Sequence, residues 1–377
     1  MAANNLRPND ESKKSLRRID VVVLIIAAAI VIALMLPLLN DNRTVARRHQ
    51  CMVNTRHLAI ATIQYELRSK QLPGYVNDFG WFTGTTTPTA PVDTASFYRP
   101  GDKKLGSWVV PLLGFLDAQP TYETWSIETF PLLVQRDGQF HFTQSAAPNL
   151  STMQCPESKN FSSKRGSNSY IANTGMHSLS SGTHDPDSFL RSMQVCNGVF
   201  NHQYASAADL DRFPSDPPIK LKDFVDGVGN TILISESLQA IAWHQLDPDS
   251  RVSVELLQPT VAGGEVRYPI LSRYVQGMVW HEAAFIGRKA TGRVAVDRVK
   301  KVNGTVAGVA LGDLRMDQQN AADVARPSST HPRGVFFGFA DGSTRFVSET
   351  IDYGVYRALL TPCGREELPD DLIGVAR

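Results

Sequence analysis

One uninterrupted apolar run, VVVLIIAAAIVIALMLPLL from Val21 to Leu39, dominates what this chain can become. It holds no charge, no Asn or Gln, and a single proline, Pro37. As a helix rising about 1.5 Å per residue it reaches roughly 28 Å, close to the hydrocarbon thickness of about 30 Å. No side of it is polar, so it reads as a membrane span rather than a core helix. A cleaved secretory signal would be shorter and end at a small-x-small site. Here Asn40, Asp41, Asn42 and Arg43 follow, and the run reads as an uncleaved anchor. Lys13, Lys14, Arg17 and Arg18 ahead of it favour a cytoplasmic N-terminus, although Arg43, Arg47 and Arg48 behind it reduce the asymmetry.

The rest of the chain is built differently. With 42% hydrophobic and 20% charged residues, 27 Gly and 22 Pro, it supports a packed, turn-rich body and excludes a disordered, collagen-like or coiled-coil protein. Thirty-eight Lys+Arg against 37 Asp+Glu leave a net charge of +1, so no global field recruits nucleic acid. Between Asn40 and Lys70 there is no Gly or Pro. Apolar residues recur there as Met52, Ala59, Ile63 and as Cys51, Leu58, Thr62, Tyr65, at offsets of three, four and seven. The spacing predicts one long helix over residues 20 to about 70, kinked at Pro37 and ended by Pro73-Gly74. The resulting layout is a cytoplasmic tail (1–20), a transmembrane helix (21–39), an amphipathic stem (40–72) and an extracytoplasmic β-rich head with insertions (73–377).

Local patterns in the head are turns and strands. VFFGFADGSTRFVS (335–348) alternates on either side of Asp341-Gly342 and predicts a hairpin with a two-residue type I′ turn. Val335, Phe337 and Phe339 share one face of its first strand, and Phe346 lies on the second. Asp226-Gly227, followed by Asn230 and Thr231-Ile232-Leu233-Ile234, reads as a polar turn and a β-branched strand, a neighbour of the hairpin in one antiparallel sheet. Residues 81–104 read as a long loop, 252–257 and 278–287 as strand-like segments. Trp108, Val110 and Leu112 suggest a strand or short helix, and Trp108, Tyr122 and Trp125 are candidate core aromatics.

Catalytic and metal signatures are absent by pattern. His281-Glu282 begins a zinc-protease motif, but Phe285 stands where its second histidine belongs. No nucleophile elbow, Walker loop or dinucleotide fingerprint occurs. His184-Asp185-Pro186-Asp187 offers cation ligands, but in a Ser/Gly-rich loop it reads as a solvated turn. No catalytic residue, metal ligand or cofactor is expected.

Several stretches together resemble the bacterial H-x9-DG proteins, a pilin-like family of unknown function with a prepilin-type N-terminus. They are LMLPLLNDNRTVARRHQCMVNTRHLAIATIQY (34–65), LGSWVVPLLGFLD (105–117), MQCPES (153–158), SYIANTG (169–175), CNGVF (196–200), DFVDGVGNTILISES (223–237) and STHPRGVFFGFADGSTRFVSETIDYGVYRALLTPCG (329–364). The last contains His331, nine residues, then Asp341-Gly342. The resemblance implies an α+β fold, a long N-terminal helix packed on an antiparallel β-sheet head with large loop insertions. It also implies a non-enzymatic envelope role related to type II secretion or type IV pili. The expected partners are the bilayer, through residues 21–39, and other pilin-like chains. One departure stands out. The glycine of a prepilin cleavage site is missing near Ser15-Leu16, and Asp20 occupies the neighbourhood of the usual glutamate, so cleavage and methylation are left open.

The motif residues His331, Asp341, Gly342, Asp226, Gly227 and Asn230 have a structural reading as turn and loop positions. His331 also has a ligand or catalytic reading, as a hydrolase histidine paired with Asp341 or Asp226. An envelope-tethered protein binding a glycan or peptide is the other alternative to assembly. Four cysteines without a CxxC pair suit disulfides outside the cytoplasm better than a zinc site. Cys51–Cys155, which would staple head to stem, is the favoured pairing of three.

Overall fold

A computed structural model describes residues 18–81, 103–136, 139–158, 165–177, 194–203, 218–246, 268–285, 296–317 and 319–363. The segment 252–257, the His184–Asp187 turn and most of the 81–104 loop lie outside them. The chain divides into two compact units, Met1–Arg47 and Arg48–Arg377. Helix α1 (Arg18–Ser69) is a single element of 52 residues. It stops where Lys70 turns left-handed (φ 59°) and donates its N–H to the Glu66 carbonyl, at 2.8 Å, three positions before Pro73.

In the first unit the apolar side chains of α1 face outward: Ile19 is 73% exposed, Leu24 61% and Ile25 63%. Among the described residues no helix is long and apolar enough to cross a membrane, and the side chains of 32–42 are not among those described.

In the second unit α1 buries Cys51, Asn54, Thr55, Leu58, Ala59, Ala61 and Thr62. The polar members of this stripe are satisfied locally. Thr55 and Thr62 donate their hydroxyls to the Cys51 and Leu58 carbonyls, and Asn54 Nδ2 donates to the Gln154 carbonyl at 2.9 Å.

The strands are β1 (Val76–Trp81), β2 (Lys103–Gly106), β3 (Leu133–Arg136), β4 (Gln139–Phe142), β5 (Tyr170–His177), β6 (His202–Gln203), β7 (Ile232–Glu236), β8 (Gly277–His281), β9 (Gly334–Phe339) and β10 (Thr344–Ser348). They form a five-stranded sheet ordered β10-β9-β7-β5-β8, a three-stranded sheet β2-β1-β6, and the β3-β4 ribbon. The expectation of a purely antiparallel sheet is corrected. β8 runs parallel to β5, and β6 parallel to β1, so the fold is α+β with mixed sheets. The reason is topology: β7 lies antiparallel to β5 on one side, and the chain comes back, through helix α3 (Tyr268–Val275), on the other side of β5 in the direction opposite to β7, so β8 runs parallel to β5. The two Asp-Gly segments do meet as proposed, because β7 and β9 are antiparallel neighbours.

Both faces of the five-stranded sheet are covered. Val335, Phe337 and Phe339 pack with Tyr353, Tyr356 and Leu360 of helix α4 (Tyr353–Leu360), whose first turn is capped by Asp352 accepting from the Gly354 N–H. On the opposite face Phe336 and Ala340 join Cys51, Leu58 and Ala61 of α1. The same cluster takes in Trp108 and Trp125. Trp108 precedes a 3-10 turn (Val110–Phe115), and Trp125 lies in helix α2 (Gln119–Ser126).

The hairpin itself differs from expectation. Register pairs Thr344 with Gly338, Phe339 and Ser343 bond next, and the Gly342 N–H donates to the Phe339 carbonyl at 3.0 Å. Ala340, Asp341 and Gly342 therefore make a three-residue loop in which only Gly342 has positive φ, +78°. Asp341 stays at negative φ because its Oδ1 accepts the Ser343 N–H at 2.8 Å, an Asx turn that replaces the type I′ geometry.

At Gly338 β9 lies close against α1. A Cβ there would meet Ala59 Cβ at 3.0 Å and the Thr55 carbonyl at 3.1 Å, whereas one at Gly342 finds ordinary contact distances and only the backbone conformation opposes it. Gly338→Val is expected to destabilise by about 2 kcal/mol through overpacking, and Gly342→Ala by about 1 kcal/mol through φ strain. Denaturant unfolding of both variants tests this; a Gly338→Val midpoint equal to wild type would refute the docking.

Candidate functional site

The family-motif histidine sits at the junction of α1 with the sheet. His331 lies three residues ahead of β9, in a segment where Ser329 Oγ donates to the Gly334 carbonyl at 2.8 Å and accepts the His331 N–H at 3.1 Å. That local knot turns the imidazole inward, and His331 is 2% exposed. Its Nε2 lies 2.9 Å from Glu236 Oε1 at the end of β7, and its Nδ1 lies 2.5 Å from Glu157 Oε2. Glu236 Oε2 accepts the Phe336 N–H at 2.9 Å, and Thr330 Oγ1 donates to the Glu157 carbonyl at 3.1 Å.

Against this cluster stands a disulfide. Cys51 of α1 is bonded to Cys155, whose Sγ is 3.8 Å from His331 Nε2. The Cys155 N–H donates to Ser169 Oγ, and the Tyr170 hydroxyl donates to the Cys51 carbonyl at 3.4 Å. Phe336 and Phe346 close the aromatic side with ring centroids 5.2 and 6.5 Å from the imidazole, and Arg48 of α1 lies 4.3 Å over Phe346. Cys196 and Cys363 form a second disulfide.

The electrostatics follow from this cage. Burial alone would push the imidazole toward neutrality, but the Glu236 and Glu157 carboxylates outweigh it and raise His331 above its ordinary value. His331 is thus an imidazolium clamped between two carboxylates. A general base must reach the proton it abstracts, and here both ring nitrogens already face carboxylates in a closed site. The acids expected beside it are elsewhere. Asp341 holds the turn and lies 3.7 Å from Arg345, while the Asp226 N–H donates to the Pro362 carbonyl. Gly227 (φ +90°) bends the second turn, and Asn230 Nδ2 donates to the Asp226 carbonyl at 2.9 Å. These four residues shape loops, and of the expected site residues His331 meets the Cys51–Cys155 pair rather than either aspartate.

Glu157 and Glu236 escaped sequence reasoning, although each is the only acid near the end of a family-like block, MQCPES and TILISES. A glutamate closing a fully buried β-branched strand was the available signal. Among the described residues one group of metal-ligating atoms converges: Cys51, Cys155, Glu236 and His331 lie within 4.8 Å of one another. In this oxidised structure the two sulfurs are bonded to each other.

A separate pair of histidines is held neutral. His177 ends β5 and His281 ends β8, in register, with ring centroids 4.9 Å apart. Burial, then Arg273 and Lys300, bring His177 down to about 4, and burial first holds His281 well below its ordinary value. Burial also takes His244 to about 3.

These opposite shifts fix a pH profile. The raised His331 contributes fully below its unfolded value of about 6.5 and less as pH climbs toward its folded value. Stability should therefore fall as pH rises above about 6.5, opposed near pH 8, where Lys104, brought down to about 8 by burial, sheds its costly buried charge. The depressed His177 and His244 act oppositely, costing stability as pH drops below 6.5. Replacing His331 by Gln leaves the buried Glu236 and the partly buried Glu157 without their cation and should cost about 3 kcal/mol. It should also flatten the alkaline limb while keeping the acid one. Thermal melts from pH 5 to 8 read both; an unchanged alkaline limb would contradict the clamp.

The family model described as a protein of unknown function (DUF1559) matches residues 41–354, most of the chain. No curated protein and no solved structure matches. The match takes in Cys51, Cys155, Glu157, Glu236, His331 and Asp341-Gly342, every residue of the clasp and the motif turn. The chain belongs to DUF1559, the family associated with prepilin-type N-terminal cleavage and the H-x9-DG motif.

Proposed function

We propose that the protein is a single-pass structural component of the bacterial cell envelope, related in architecture to pilins and pseudopilins. The carrying observation is the split character of α1. Its apolar side chains from Ile19 to Val31 are exposed, whereas Cys51, Leu58, Ala59 and Ala61 on the same helix are packed under the sheet. An apolar surface of that kind in water costs about 25 cal/mol per Å² and marks a membrane or protein partner. The run Val21–Leu39 supplies the span, with residues 1–20 in the cytoplasm and the bulk of the chain outside. Two disulfides suit that compartment, where thiols are oxidised. Lateral packing of such helices is the route to assembly with other pilin-like chains, and the inserted loops choose what the assembly meets.

Membrane fractionation of the full chain tests the reading. Wild type is expected in the membrane fraction, extractable by detergent and not by high salt. Ile30→Asp, at the centre of the run, costs about 3 kcal/mol of insertion free energy and should lower membrane retention on the order of 100-fold. Retention of wild type in the soluble fraction, or an Ile30→Asp chain as firmly membrane-bound as wild type, would overturn the proposal. Co-purification with other pilin-like chains, lost when Leu24 is made charged, separates assembly from simple tethering.

A further inference from the structure

We propose that the junction is a zinc site whenever the Cys51–Cys155 bond is absent, so that metal and disulfide are alternative fasteners of the same joint. Cys51 Sγ, Cys155 Sγ, His331 Nε2 and Glu236 Oε1 already lie within 4.8 Å of one another. A tetrahedral zinc with sulfurs at about 2.3 Å and N/O ligands at about 2.0 Å places its ligands about 3.3–3.8 Å apart. His331 Nε2 is 3.8 Å from Cys155 Sγ and 2.9 Å from Glu236 Oε1, so the ligand edges need small adjustments once the sulfurs part. Two thiolates, one imidazole and one carboxylate form a donor set that suits zinc.

The stronger argument lies behind the ligands. A metal-bound imidazole is ordinarily held by a carboxylate on its other nitrogen, and a metal-bound carboxylate by a hydrogen bond to its second oxygen. Glu157 occupies the first position, at His331 Nδ1, and the Phe336 N–H the second, at Glu236 Oε2. The same contacts hold the imidazolium of the oxidised form, so one supporting shell suits both fasteners. All four ligands are buried, which excludes competing water.

The chemistry balances with an external dithiol as reductant. It gives two electrons and two protons to the Cys51–Cys155 bond and closes to its own disulfide. Zinc then displaces both thiol protons and the Nε2 proton, leaving Nδ1–H on Glu157.

Cobalt(II) is the probe. The full chain in detergent is reduced with a phosphine, which becomes the phosphine oxide with water's oxygen and leaves four thiols. Reduced wild type is expected to take up one equivalent of cobalt with a sulfur-to-cobalt charge-transfer band, bleached by zinc, while the oxidised chain shows none. Cys155→Ser and Glu236→Gln should abolish the band or weaken binding more than 100-fold, Glu157→Gln by about 10–100-fold. Cys196→Ser should leave it intact. His331→Gln should behave as Glu236→Gln, and circular dichroism of its oxidised form reports whether it folds. Absence of the band in reduced wild type overturns the proposal, as does a band unaffected by Glu236→Gln and Glu157→Gln or one lost in Cys196→Ser.

Discussion

The second unit hangs on one joint, where Cys51 of α1 is bonded to Cys155 and His331 stands between Glu157 and Glu236. Segments far apart in the chain converge there: α1, the turn at residues 153–158, the end of β7 and the approach to β9. The covalent bond removes on the order of 4–5 kcal/mol of chain entropy from the unfolded state. The ionic cluster adds selectivity rather than bulk stability, because buried charges cost several kcal/mol to desolvate and recover it only in the right geometry. One imidazolium faces two acids, and the imbalance is tolerable because the Glu157 side chain keeps 11% of its surface exposed while that of Glu236 keeps 2%.

The spacing of the motif follows from the same joint. His331 and Asp341-Gly342 stand at opposite ends of β9, and both ends register on α1. The His331 end meets the helix through Cys155 and Cys51, Gly338 lies against Thr55 and Ala59, and a Cβ placed on Gly342 would stand 3.5 and 3.6 Å from the Ile60 and Ile63 side chains. Strand β9, of six residues, extends about 20 Å at about 3.3 Å per residue. From Cys51 to Ile63 the helix climbs about 18 Å at about 1.5 Å per residue. Nine intervening residues are what a strand needs to run along that length of helix and still turn at its end. The histidine and the Asp-Gly pair are therefore two ends of one ruler, not partners in chemistry.

Legibility in the sequence tracked how local the cause was. The helix over residues 18–69 was readable because its period and its lack of glycine are local facts, and the hairpin because Asp-Gly is a local turn signal. The three-residue loop was not, since it depends on whether the Asp341 carboxylate or its φ angle takes the strain. Parallel pairing of β8 with β5 was invisible because it depends on strand order, with β5 lying between β7 and β8, and strand order carries no short pattern. The clasp was half visible. His331 and the Cys51–Cys155 pair could be named, but Glu157 and Glu236 acquire meaning only when strand order brings β7 beside β9. A buried glutamate in a strand of Ile, Leu and Ser is a local anomaly that asks for a distant cation, and the sequence does not say which.

The position of the joint along α1 also has mechanical content. Cys51 lies four residues past Arg47, where the first compact unit ends, and it is the first fully buried residue of the helix in the second unit. A load applied along the helix from its N-terminal side reaches Cys51 before it reaches Leu58, Ala59 or Thr62. Apolar contacts arranged in series along a helix yield one after another, each worth about 1.5–3 kcal/mol. A covalent bond at the leading contact converts that peeling into a shear of the whole stripe, in which every contact must fail together. A disulfide at the far end of the stripe, near Tyr65, would close a loop of similar length and give nearly the same equilibrium stability, since loop entropy varies only slowly with length. The leading position is the one that resists peeling, and Cys51 occupies it.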